Sequence, residues 1–347
     1  MKLVVLGLSL SSSWGNGHAT TFRALLRAFH ARGHEVLFLE RDVPWYASSR
    51  DLPNPDFCDL RYYSDLADLA RWEGALGQAD AVIVGSYVPE GVAVGDLAQR
   101  AAQGRACFYD IDTPVTLAKL ARGDFEYLHP RQIPGYATYF SFTGGPTLQR
   151  LERELGSPRA AALYCSVDPQ AYRPLDVAKR WDLSYLGTYS DDRQPTLDRL
   201  LLDVARLCQD RRFAVAGPQY PADIAWPANV ERIEHLSPAD HAAFYSASRF
   251  TLNVTRADMI VAGWSPSVRL FEAGACGCPV ISDRWDGIET VMGGITLADG
   301  PEDVIAALAS DGARLGKLSR EAVLERHTAA RRAEELEAAL AALSVPA

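Results

Sequence analysis

The strongest constraint on how this chain can fold is an alternation that runs through it twice. Short apolar runs rich in β-branched residues alternate with longer segments whose apolar residues recur at helical spacing. In the first half, residues 2–8, 35–39, 80–85, 105–109 and 139–142 read as strands. Between them, residues 19–32 carry Phe22, Leu25, Leu26 and Phe29 on one helical face and stop at Gly33. Residues 91–103 and 146–155 read as helices too. Strands joined by crossover helices pair in parallel. After Ser166, Pro169 and Pro174 bracket an irregular stretch that reads as a domain junction. The alternation then restarts, with strands over 183–186, 213–216, 250–254 and 279–282 and helices over 195–208, 237–248, 267–276 and 301–309. Ser237 is expected to cap its helix, with Pro238 at the first position. The alanine- and glutamate-rich stretch 319–343 reads as one long helix. A chain of 347 residues exceeds what one core usually supports. The expected class is α/β: two Rossmann-like doubly wound parallel-sheet domains, residues 1–166 and 167–318, facing across a cleft, with a C-terminal helical segment, 319–347.

The formal net charge of −9 argues against nucleic acid as a partner, because nucleic-acid binding surfaces are basic. No apolar run reaches the roughly eighteen residues that span a bilayer. The apolar start reads as a first strand and not as a signal peptide. A cytoplasmic protein is expected, with peripheral membrane contact and oligomeric state left open. The cysteines, Cys58, Cys107, Cys165, Cys208, Cys276 and Cys278, lack CxxC spacing. They read as free thiols in a reducing compartment, with no metal site.

Ligands of open parallel sheets bind beyond the carboxyl ends of the strands. The loop in SSSWGNGHATTF holds that place after the first strand. Gly15 and Gly17, on either side of Asn16, are expected to permit positive φ and close approach to a ligand. The helix beginning near His18 would point its N–H groups and dipole at a phosphate. The glycine spacing matches neither the dinucleotide fingerprint nor the P-loop, and Glu40 is weak support for the former. On the loop alone, an exposed turn accounts for the glycines equally well. His18 reads either as a partly buried polar residue or as a group that binds a sugar hydroxyl or takes its proton.

The densest stretch is GWSPSVRLFEAGACGCPVISD, residues 263–283. Ser265, Pro266 and Ser267 form a turn that starts a helix. Arg269, Leu270 and Glu272 follow, with Arg269 and Glu272 three apart on one face. A helix start with serine N–H groups and an arginine suits a diphosphate. A carboxylate beside it suits a ribose diol, because it accepts from both hydroxyls. Standing alone, an Arg–Glu pair on a helix surface is worth little. Gly187, Ser190 and Arg193 of LGTYSDDR, and Gly217 of AGP, stand at strand ends of the same half and can join the pocket.

This half resembles the donor-binding domain of the GT-B glycosyltransferases, within them the branch of CgeB-like spore-maturation proteins related to the glycogen-synthase-like group 1 family. SVRLFEAGACGCPVISD, LGTYSDDRQ and SVDPQAYRP carry the likeness, with GNGHATTFRALLRAF, DIDTPVTLAKL and YFSFTGGPTLQRLE in the first half. The resemblance implies a nucleotide-diphosphate sugar as co-substrate, a UDP-sugar by expectation, and no other cofactor. It implies that Glu272 binds the ribose, that Arg269 and the Ser267 turn approach the diphosphate, and that Gly15–Gly17 face the sugar-phosphate. It also implies that the first domain takes the acceptor and that the last helix crosses back onto it. One position departs: relatives often carry Glu-x7-Glu, but the residue eight before Glu272 is Trp264. Asp258 is an acid that can substitute for it. The sugar and the stereochemical outcome stay open on this ground.

The resemblance also implies that the departing diphosphate is met by basic side chains and a helix dipole, not by a metal. Asp110 and Asp112 have the spelling of a metal motif, yet the resemblance places them on the acceptor side. Asp112 reads as a base or acceptor ligand and equally as the N-cap of the helix opened by Thr113 and Pro114. Thr113, Gly144 of TGGP, and Trp14 with Trp45 and Tyr46 are candidate acceptor contacts, which turns and ordinary packing explain as well. The expected reaction is metal-independent transfer of a sugar to a hydroxyl of a small-molecule, glycan or envelope acceptor, with retention and inversion both open. A nucleotide-sugar epimerase on the same fold and a non-catalytic envelope or spore-coat protein are the alternatives.

Overall fold

The structure, a computed structural model, describes residues 1–14 and 17–344. The chain divides into two compact units: Met1–Ser166 with Ala329–Ala347, and Val167–Thr328. The first unit holds strands β1 (Lys2–Gly7), β2 (Glu35–Arg41), β3 (Asp59–Tyr63), β4 (Ala81–Gly85), β5 (Ala106–Asp110), β6 (Thr138–Ser141) and β7 (Ala160–Ala162). They form one sheet in the order β3-β2-β1-β4-β5-β6-β7, with every pairing parallel. The second unit holds β8 (Trp181–Leu186), β9 (Phe213–Ala216), β10 (Val230–Ile233), β11 (Ser248–Asn253), β12 (Val280–Ser282) and β13 (Ile295–Leu297). Their order is β10-β9-β8-β11-β12-β13, again parallel throughout.

Both faces of the first sheet are covered. Helix His18–Ala31 buries Phe22, Leu25, Leu26 and Phe29 on one face. Helix Gly91–Ala102 buries Val94, Leu97 and Ala98 in the cluster on the other. Burial on both sides is why β4 and β5 read as unbroken apolar runs. The last helix, Ala329–Ala341, belongs to this unit. It inserts Ala333, Leu336, Ala339 and Leu340 into the cluster of Phe29, and Arg32 Nε donates to Glu337 at 2.5 Å.

Three expectations change in the structure. The single helix over 319–343 is two helices, Ala313–Arg326 and Ala329–Ala341. The first stops because His327 is held in the second unit: its ring stacks on Phe271 at 4.1 Å and its Nε2 meets the Val291 carbonyl at 2.7 Å. Ser237 precedes a 3-10 turn, Pro238–Asp240, and makes no side-chain cap bond; the α-helix is His241–Ala247. The helix over 195–208 is interrupted by a π-turn, Asp198–Leu202, that buries three successive leucines. Among the described residues, no helix is long and apolar enough to cross a membrane.

Candidate functional site

In the first sheet the strand order reverses between β1 and β4, and a crevice for a ligand belongs at their carboxyl ends. The loop after β1 is pinned from below by Glu40. Its buried carboxylate accepts from Leu10 N at 2.6 Å, Ser11 N at 2.9 Å and Ser11 Oγ at 2.6 Å. Glu40 therefore serves the fold. Asp51 fixes the next turn, accepting from Ser13 N at 3.0 Å and from both terminal nitrogens of Arg23. Gly15 and Asn16 lie outside the described residues. Gly17 has φ −83° and nothing within 4 Å of the Cβ it lacks, so neither positive φ nor crowding requires glycine there.

His18 opens its helix as a buried residue. Burial pushes its imidazole down to about 4, so the ring is neutral at physiological pH. Its Nδ1 has no hydrogen-bond partner among the described residues. Tyr87, two residues beyond β4, meets the His18 ring edge-on at 5.3 Å and donates from its hydroxyl to Asp112 Oδ2 at 3.2 Å. It thus links His18 and Asp112, which come from separate strand ends. Tyr87 holds φ +61°, a conformation that costs a non-glycine residue of order 1 kcal/mol and collects at functional sites. Asp112 stands at the N-cap position of helix Thr113–Ala121, but its side chain makes no cap bond.

Asp110 is fully buried. Its carboxylate accepts from Tyr139 Oη at 2.5 Å, Thr116 Oγ1 at 2.7 Å and Asp112 N at 3.2 Å. Burial raises it to about 6 despite those bonds. Thr113 is buried as well, with its hydroxyl 2.9 Å from Ser141 Oγ and 3.2 Å from the Asp110 carbonyl it donates to. A Cβ on Gly144 would sit 2.1 Å from Tyr164 Oη, so that glycine serves packing. Trp14 and Trp45 are exposed, and Trp45 meets the buried Tyr46 edge-on at 6.2 Å.

In the second sheet the order reverses between β8 and β11, and Arg269 lies there. Its Nε donates to the Leu186 carbonyl at the end of β8, and its Nη1 to Asn253 Oδ1 at the end of β11, at 3.1 Å. Its guanidinium lies 4.9 Å above the Tyr185 ring. A Cβ on Gly187 would stand 2.7 Å from Arg269 Nη2, and one on Gly217 would stand 2.1 Å from the Gly187 carbonyl oxygen. Both glycines are what lets these strand ends close on the guanidinium. Gly217 also has φ +139°.

Arg193 donates to the Thr188 carbonyl at 2.6 Å, and its buried Nε has no partner among the described residues. Burial and, less strongly, the nearby Arg269 lower its pKa. Among the described residues no carboxylate bonds to either guanidinium. Asp192 and Asp283 lie close enough to act on Arg193 and Arg269 but bond to neither guanidinium, which leaves two neighbouring cations able to hold an anion. Ser190 is bonded to Asp192. Ser267, the N-cap of helix Val268–Ala275, donates to Asn253 Oδ1 at 2.9 Å, while Ser265, Pro266 and Leu270 are buried. Glu272 lies one turn on from Arg269, with Oε2 accepting from Tyr245 Oη at 3.3 Å and 3.8 Å from His241 Nδ1. Trp264 holds φ +40°, bonds through its N to the Asp286 carbonyl at 2.6 Å and covers Gly287. Asp258 is exposed on helix Ala257–Ala262.

The sequence reading missed Asn253 and Tyr87. Asn253 is buried and uses its whole amide: Oδ1 takes Ser267 and Arg269, and Nδ2 reaches Thr255 at 3.1 Å and Ser282 at 2.9 Å. The one available signal was an amide ending an apolar strand, because buried polar groups are placed to bond. Tyr87 left no comparable trace.

Residues 193–338 match the family described as Glycosyl transferase-like, and no curated protein matches the chain. A sucrose-phosphate synthase from Thermosynechococcus elongatus superposes with a TM-score of 0.67 at 14% identity, covering 99% of each chain. HepE from Anabaena, solved with UDP and glucose, gives a TM-score of 0.69 at 13% identity over 99% of this chain and 100% of that one. An α-glucosyltransferase solved with UDP and a DNA 13-mer gives 0.67 at 14% identity over 98% and 99%. The fold of this chain is that of the GT-B glycosyltransferases, and residues 193–338 are similar to the glycosyl transferase-like family.

Proposed function

We propose that the protein transfers a sugar from a UDP-sugar to the hydroxyl of a small-molecule, glycan or envelope acceptor, without a metal and with retention. The observation that carries this reading is the placing of Arg269 at the strand reversal of the second sheet, with Arg193 near it and Glu272 one turn further along. The two guanidinium groups and the start of helix Val268–Ala275 meet the charge that grows on the departing diphosphate. Glu272 takes the ribose hydroxyls. In the first unit, neutral His18 and Asp112, linked through Tyr87, receive the acceptor hydroxyl and its proton. The UDP in the HepE structure supports the choice of donor base. SVRLFEAGACGCPVISD supports placement in the CgeB-like branch, and a cytoplasmic site of action fits a nucleotide-sugar donor. The net charge of −9 disfavours a nucleic-acid acceptor, although one structural neighbour was solved with DNA.

The test is a melting screen against UDP-, GDP- and dTDP-sugars, where a ligand at a hundred times its Kd stabilises by roughly 2.7 kcal/mol. UDP-sugars are expected to shift the melt, and Arg269→Ala to weaken them by about ten- to a hundredfold, the loss of one or two hydrogen bonds to a charged group. Unchanged donor affinity in Arg269→Ala refutes the assignment.

A further inference from the structure

We infer that Tyr245, assisted by Tyr172 and His241, is a positioning residue that fixes one oxygen of the Glu272 carboxylate and so sets the preference for a ribonucleotide over a 2′-deoxyribonucleotide. This rests on the reading above that Glu272 takes the ribose.

Two side chains close on Glu272 Oε2, and a third, from a separate segment, backs one of them. Tyr245, on helix His241–Ala247, donates to it at 3.3 Å from a fully buried ring. His241, one turn earlier, holds Nδ1 at 3.8 Å from the same oxygen. Tyr172, from the segment that opens the second unit, places its hydroxyl 3.4 Å from His241 Nδ1. Every hydrogen bond and ion pair of the Glu272 carboxylate named here goes to Oε2, and the side chain keeps 12% exposure. A glutamate on a helix surface ordinarily samples several rotamers, and each side chain ordered on binding costs about 0.5–1.5 kcal/mol. Here the chain itself orders the carboxylate before any ligand arrives. The result is a preformed acceptor whose second oxygen takes part in neither of these contacts. A buried phenol with a hydrogen bond to a carboxylate also has little other reason to sit in this apolar layer: Tyr245→Phe keeps the packing and removes only the bond.

The experiment measures, by calorimetric titration, the affinities of UDP and 2′-deoxy-UDP, with GDP and 2′-deoxy-GDP run alongside, for the wild type, Glu272→Gln, Tyr245→Phe and Tyr172→Phe. The wild type should prefer the ribonucleotide. Tyr245→Phe should weaken the ribonucleotide about three- to tenfold, the worth of one hydrogen bond, and leave the deoxy analogue within about twofold. Glu272→Gln should lose the same preference, and Tyr172→Phe part of it. Thermal melts confirm that each variant is folded. Equal weakening of both nucleotides in Tyr245→Phe identifies a purely structural tyrosine and overturns the inference. So does an unchanged ratio in Tyr245→Phe while Glu272→Gln collapses it, which leaves the ribose role of Glu272 intact. An unchanged ratio in Glu272→Gln, or no binding of either pair, overturns the ribose reading and the inference with it.

Discussion

Asp110 offers the sharpest check on the electrostatics of the first unit. Its carboxyl is wholly buried, and burial raises it from the ordinary aspartate value of 3.8 to about 6. Tyr139, Thr116 and the Asp112 amide all donate to the charged form, yet they do not outweigh the lost solvation. The native group thus holds its proton more tightly than the unfolded one. Its stabilising effect is complete below pH 3.8 and fades as pH rises through 6. Two pH units of difference correspond to about 3 kcal/mol in all, of which about 1.4 kcal/mol should appear between pH 5 and pH 7.5. Asp110→Asn isolates the effect. Its carbonyl can still accept from Thr116 and the Asp112 amide while its NH2 donates to Tyr139 Oη, so it copies the protonated acid. Urea unfolding of wild type and variant at several pH values gives the difference directly, because every other titrating group cancels. The variant should gain on the wild type by about 1.4 kcal/mol as pH is raised over that range. A flat difference, or one that moves the other way, refutes the claim that desolvation wins at this site.

Three further outcomes follow from the same geometry. Glu40→Ala should cost about 3–5 kcal/mol, since it strands the Leu10 and Ser11 amides; Glu40→Gln keeps an acceptor for them and should cost about 1–2 kcal/mol, both read by urea denaturation. Gly217→Ala should destabilise by roughly 3 kcal/mol or more, because its Cβ would overlap the Gly187 carbonyl at φ +139°, and it should also lower donor affinity; a stability within 1 kcal/mol of wild type by chemical denaturation would contradict this close approach. Leu336→Ala, in the returning helix, should cost about 2–5 kcal/mol by the same measurement, since Leu336 is fully buried against the first unit.

The central strands were legible because they are buried on both faces and therefore spell unbroken apolar runs. Residues 183–186 and 250–254 fall on the adjacent β8 and β11, and residues 80–85 and 105–109 on β4 and β5. The strands the sequence left unannounced are edges. DLRYY of β3 and VERI of β10 carry charges, and β13 has only three residues. An edge strand is half solvated, so its composition answers to water as much as to the core. β7, at Ala160–Ala162, is an edge strand of three residues as well. Local pattern likewise could not show the break at His327, which depends on Phe271, more than fifty residues earlier, as the ring it stacks on.

The site divides along the same line. Arg269, Glu272, Gly187 and Gly217 could be picked out because each has a chemistry or a backbone freedom that a strand end or helix start rarely needs without a ligand. Their meeting could not be, since it follows from strand order. Leu186 and Asn253 are far apart in sequence, but β8 and β11 are neighbours at the reversal, so one guanidinium reaches both. The same adjacency of β1 and β4 brings Tyr87 to His18 and gives an ordinary tyrosine a place between two titratable groups. Thr113 and Gly144 show a structural reason for the same residue types. Their loops lie at carboxyl strand ends, but the hydroxyl of one is bonded inside the fold and the other is glycine because Tyr164 occupies the space. Position at a strand end is thus necessary for a contact with ligand and insufficient for it: what decides is whether the polar atoms there are already bonded. By that criterion Arg193 and His18, each with a buried nitrogen lacking a partner among the described residues, are better candidates than any residue chosen by spacing alone.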